Sequence, residues 1–141
     1  MEIYIDCEEN LERLDFGRHE KFLQTLMRVT DESESEVSVS FVGDETIRQL
    51  NRDYRNKNTS TDVLSFSLRE GELVGGSNAL GDIVISVQTA EQQAFEYGHN
   101  LDDEIDELLF HGFLHLLGFD HEKDLQIWSE KEHQIKQALQ N

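Results

Sequence analysis

A single α+β domain, with one four-stranded sheet covered by helices, is the fold class this sequence predicts, and three observations carry the prediction. Apolar residues recur at strand and helix periods in the order β-α-β-α-β-β-α-α-α. The 141 residues suffice for one domain with a real core and are too few for two of ordinary size. The composition, 37% apolar and 30% charged, is that of a globular protein, and no internal repeat, linker or low-complexity tail interrupts it.

The elements follow in order. Residues 1-MEIYID-6 alternate as a short strand. From Phe16 to Val29, Phe16, His19, Phe22, Leu23, Leu26 and Met27 fall at helical spacing. The run 37-VSVSFVG-43 is alternating and β-rich, and a short helix should follow it with Ile47 and Leu50 inward and Arg48 and Arg52 outward. Residues 63-VLSFSL-68 and 83-IVISV-87 read as the third and fourth strands, joined by the glycine-rich 70-EGELVGGSNALG-81 as a hairpin-like turn or loop. The stretch 88-QTAEQQAFEYG-98 reads as a helix ending at Gly98. Leu101 to Leu117 is the strongest helical pattern. A last helix from about Glu122 carries Leu125, Trp128, Ile135 and Leu139 on one side.

Charge and cysteine usage narrow the function. A formal net charge of −18 argues against a protein that holds nucleic acid over its whole surface. One local basic patch exists, with Arg48, Arg52, Arg55 and Lys57 inside ten positions. The acidic runs 31-DESESE-36 and 102-DDEIDE-107 read as solvated surface. Cys7 is alone, which rules out a disulfide framework or a cysteine zinc site within one chain, and it reads as a small buried hydrophobe. No apolar run approaches a membrane span, and residues 1–20 lack the pattern of a signal peptide, so a cytoplasmic location is expected.

The stretch 111-HGFLHLLGFDH-121 carries the chemistry. His111 and His115, four apart on a helix, send both imidazoles from one face. Gly118 is placed to end the helix in the left-handed conformation, so that the chain can turn back and bring up His121. Three neutral imidazoles leave zinc its double charge and an open position, the catalytic rather than the closed structural arrangement. Water bound there ionises near neutral pH. His19, His99 and His133 read as ordinary polar residues.

Zinc-protease helices with this spacing begin His-Glu, and the glutamate moves the proton of the attacking water. Gly112 can do neither half of that task, so a peptidase reading loses its general base. Glu104, Glu107, Asp120 and Glu122 are near enough in sequence to substitute as base, or else to cap a helix or hydrogen-bond the ligand imidazoles. Glu104, Glu107 and Asp120 are candidates for the last of these roles, with orientation favoured over base at Asp120. Arg55 could stabilise transition-state charge on a phosphate, or it is a surface arginine at a helix–loop junction. Asp62 and Asp82, each near a strand start, read as loop-fixing residues.

Taken together, HGxLHLxGxDH at His111–His121, LNRxYRxKxxxTDVLSF at Leu50–Phe66 and LGDIxIS at Leu80–Ser86 resemble the YbeY family of bacterial rRNA maturation factors with single-strand-specific endoribonuclease activity. The similarity covers almost the whole chain. Two departures are Phe66-Ser67 where the family has Phe-Pro, and a shortened tail after His121. The resemblance implies a small domain with a mixed sheet and a metal cleft. It also implies one zinc ion per chain held by His111, His115 and His121, and a functionally important Arg55. Glu104 matches the family's glutamate seven residues before the first ligand. The implied activity is metal-dependent cleavage of single-stranded RNA in maturation of the 16S rRNA 3′ end and ribosome quality control. Arg48, Arg52 and Lys57 would then contact RNA within a ribosomal particle or beside ribosomal proteins, away from any membrane. Two other readings of the residues are a non-enzymatic ribosome-assembly factor with structural zinc, and a peptidase or amidase.

Overall fold

Side-chain caps open four of the helices. Asp15, Ser86, Asn100 and Asp124 accept the backbone N–H of Arg18, Thr89, Asp103 and Ile127, the orphan donors of a first helical turn. In this computed structural model, which describes residues 1–8, 13–68, 78–120 and 122–140, the elements are β1 (Glu2–Cys7), α1 (Phe16–Val29), β2 (Glu36–Val42), α2 (Asp44–Arg55), β3 (Val63–Ser67), β4 (Ala79–Ser86), α3 (Val87–Tyr97), α4 (Leu101–Leu116) and α5 (Leu125–Leu139). Gly98 and Gly118 close α3 and α4 at positive φ, 74° and 97°, where a side chain is disfavoured.

The four strands form one mixed sheet in the order β1-β2-β4-β3. β1, β2 and β4 run parallel, while β3 pairs antiparallel with β4 and forms an edge. The larger apolar cluster joins α1, α4 and α5 to the sheet, with Phe41, Phe110 and Phe113 at most 2% exposed. Each such ring contributes about 1.5–3 kcal/mol on burial. A smaller cluster, Val42, Ile47, Leu64 and Val84 with Leu50 and Phe66, seats α2 on the sheet. The period of two in β3 therefore splits cleanly. Leu64 and Phe66 meet α2, whereas the Ser65 and Ser67 hydroxyls donate to the Gly112 and Leu116 carbonyls of α4, both at 3.1 Å.

The structure departs from the sequence expectation in four places. β4 begins at Ala79, not at residue 83, and so takes in the end of the expected turn; residues 70–77 lie outside the described residues. The reason is tertiary. A Cβ on Gly81 would stand 2.3 Å from the Phe66 carbonyl oxygen, so glycine permits the close strand pairing here. Leu125, expected on the inward side of α5, is 66% exposed, and Trp128 and Ile135 carry that side. The run 102–107 is an interface rather than solvated surface: Asp102, Asp103 and Asp106 engage Arg18 and His19 of α1. Cys7 is only partly buried, against the larger cluster.

Candidate functional site

α4 presents His111 and His115 on one face because they are one turn apart, and both line a cleft of about 1200 Å³. Gly112, a third of a turn away, faces the sheet instead. A Cβ there would meet Ile83 Cγ2 at 2.9 Å and Ser65 Oγ at 3.1 Å. The position that holds glutamate in zinc-protease helices is thus a packing contact in this protein.

Trp128 of α5 covers both imidazoles. Its ring centroid lies 6.0 Å from that of His111 and 5.0 Å from that of His115. Glu107, one turn before His111, places Oε1 3.2 Å from His111 Nε2. That hydrogen bond raises the His111 pKa above the ordinary histidine value, burial opposing it. In the same pair, the Glu107 carboxyl is held below the usual range. Glu104 is buried and engaged by His99, whose Nε2 lies 3.2 Å from its Oε1. Asp120 accepts the Glu122 N–H at 2.8 Å and carries the turn that follows Gly118; this bond holds its carboxyl low. His121 lies outside the described residues. Among the described residues alone, no group of three histidine, cysteine or carboxylate side chains forms a metal cluster. Two half-buried imidazoles from one helix face, with carboxylates alongside, fit a borderline-soft dication such as zinc as the described part of its donor set.

The opposite wall comes from the end of α2. Register with β4 turns the backbone of residues 62, 64, 66 and 68 toward the sheet, so that Val63, Ser65 and Ser67 point theirs outward. Arg55 reaches over this open edge. Its Nη2 donates to the Ser65 carbonyl, and its guanidinium lies 5.4 Å from the centroid of the Phe66 ring. Lys57 also lines the cleft, as does Lys123 from the turn before α5. Arg48 and Arg52 do not. Arg48 bonds Glu45 and Asn58, and Arg52 bonds Asp53. Asp62 does fix its loop, accepting the Val63 N–H at 2.8 Å, whereas Asp82 lies exposed inside β4. Sequence reasoning read Trp128 only as an inward apolar residue and passed over Glu132, which also lines the cleft. The spacing Trp128, Glu132, Lys136, every fourth residue on one helix, was the available signal.

Known proteins resemble this chain along most of its length. The family model described as Endoribonuclease YbeY matches residues 4–140. An Endoribonuclease YbeY of Desulforamulus reducens is 44% identical over 146 aligned positions, covering 96% of this chain and 90% of that protein. Another, from Oceanobacillus iheyensis, is 45% identical and covers 87% of this chain and 78% of its own. The solution structure of TM1509 from Thermotoga maritima superposes with a TM-score of 0.65 at 28% identity, over 97% of this chain and 86% of that one. With the motif-bearing helix, the strand edge and the arginine all inside the matched span, the chain belongs to the YbeY endoribonuclease family.

Proposed function

We propose that this protein is a cytoplasmic zinc-dependent endoribonuclease that cleaves single-stranded RNA in maturation of the 16S rRNA 3′ end and in ribosome quality control. One observation carries the reading: a single cleft has Arg55 on one wall and the His111–His115 face of α4 on the other, with the open edge of β3 between them. His111, His115 and His121 would hold the ion. When bound, zinc supplies positive charge for a phosphate oxygen and a nucleophile at neutral pH.

The chain's own residues account for the rest. Arg55 spends one donor on the Ser65 carbonyl, which fixes the plane of the guanidinium and leaves the remainder of its fork for phosphate oxygens. Lys57 adds charge on the same wall. Among the described residues the cleft lies open along a strand edge, so a single extended strand enters more readily than a stiff duplex. Against a peptidase stands Gly112, whose place against Ile83 and Ser65 leaves no room for the glutamate such a mechanism uses.

The test is cleavage of an end-labelled single-stranded RNA by chelator-stripped protein, with and without one equivalent of zinc, beside Arg55→Ala. Cleavage restored by zinc and lost in a folded Arg55→Ala protein is the expected result. Absence of cleavage by zinc-loaded protein on both free RNA and ribosomal particles would overturn the reading in favour of a binding role.

A further inference from the structure

Two stripes of side chains face each other between α4 and α5. On α4 the stripe is Glu107, His111 and His115; on α5 it is Trp128, Glu132 and Lys136, each set at successive fourth positions. The stripes are joined end to end. The Trp128 indole N–H donates to Glu132 Oε2 at 3.0 Å, and Lys136 Nζ donates to Glu132 Oε1 at 3.1 Å. Lys136 Nζ also lies 3.7 Å from Glu107 Oε1, which is the oxygen 3.2 Å from His111 Nε2. The centroid of the Phe110 ring lies 5.3 Å from the same ammonium.

We propose that α5 clamps the imidazole pair: the Trp128 ring sets the planes of His111 and His115, and the Glu132–Lys136–Glu107 chain holds that wall in place. Trp128 is a positioning residue, acting on the metal through the two histidines. This inference rests on the reading of His111 and His115 as ligands. A helix-borne imidazole turns about two bonds, and its lone pair serves an ion only in the right plane. Trp128, 6% exposed and with its one polar atom already bonded, is a stiff wall for both rings at once. Loss of groups that orient ligand imidazoles weakens metal affinity by about 10–100-fold. Trp128 carries no formal charge, so its replacement alters orientation and leaves the net charge around the imidazoles as it was.

Zinc affinity, measured by competition with a chromophoric chelator, separates a clamp from simple core filling. Trp128→Leu, which removes the aromatic wall, is expected to weaken zinc by about 10–100-fold. Trp128→Phe, which keeps a flat ring and drops the N–H, should lose less. His133→Ala, on the exposed side of α5, should bind as the parent does. Because the chain has one tryptophan, its emission should change during zinc titration of the parent protein, with the midpoint found by competition. Where Trp128→Leu does not fold, Trp128→Phe and the emission titration decide. Unchanged affinity in folded Trp128 variants, or silent emission during zinc binding, overturns the clamp alone. A parent protein that takes up no zinc removes the metal reading and the clamp with it.

Discussion

At position 112 a methyl group would press on Ile83 Cγ2 and Ser65 Oγ, atoms of two strands in the packed sheet. Glycine in a helix interior costs about 1 kcal/mol relative to alanine, so its presence needs a compensating contact, and the approach of α4 to β3 and β4 is that contact. Overpacking of this kind costs about 1–3 kcal/mol. The two effects oppose each other, and Gly112→Ala is expected to destabilise by a net amount of up to about 2 kcal/mol, read from urea unfolding. A stabilised variant would mean that helix and sheet separate easily at this point. The same close approach sets the face of α4 that carries His111 and His115 into the cleft that Arg55 lines.

The acidic first two turns of α4 add polar contacts with α1 to its apolar packing. Arg18 donates to Asp106 at 2.9 Å and to Asp103 at 2.6 Å. Fully buried His19 stands between Asp106 and Asp102 at 2.7 and 2.8 Å, so α1 grips α4 through two adjacent residues. The hydrogen bond from Arg18 holds the Asp103 carboxyl below its ordinary value. A depressed carboxyl contributes stability that is present above its unfolded pKa, about 3.9, and is lost as pH falls through the lower folded value. The stability gap between the parent and Arg18→Met should therefore be full at pH 6 and close below about pH 4. Thermal denaturation at a series of pH values checks it. A gap that stays constant down to pH 3 would show that the two helices are held by packing instead.

Over the whole molecule the charge of −18 contrasts with a cleft lined by three cations among its described residues, Arg55, Lys57 and Lys123. Single-strand binding loses about 0.7 log units of affinity per log unit of salt for each phosphate neutralised. Two or three such contacts give a slope of about −1.4 to −2.1, and Arg55→Ala should reduce its size by about 0.7. Filter binding of labelled RNA across a salt series measures both. Tight, salt-insensitive binding of random single strands would contradict binding through these few cations on an otherwise acidic chain. No helix among the described residues is long and apolar enough to cross a membrane.

The residue order carries the number, type and order of the described elements, because each rests on a local signal: strand alternation, helical spacing, or a cap at the chain's own next turn. α1 ends where its apolar spacing ends, at Val29. It also placed His111 and His115 on one face, since helix geometry alone fixes that relation. What it could not supply were contacts between residues far apart in the chain. That β4 starts at Ala79 depends on the close approach of the Phe66 carbonyl to Gly81, and that the acidic run of α4 is an interface depends on α1. Only the folded sheet decided that β3 is an open edge, that Arg55 crosses it while Arg48 and Arg52 turn to partners of their own, and that Trp128 comes down on the two imidazoles. Local periods say which side of an element is apolar; which other element meets that side is settled by packing, in which every long-range contact depends on the others.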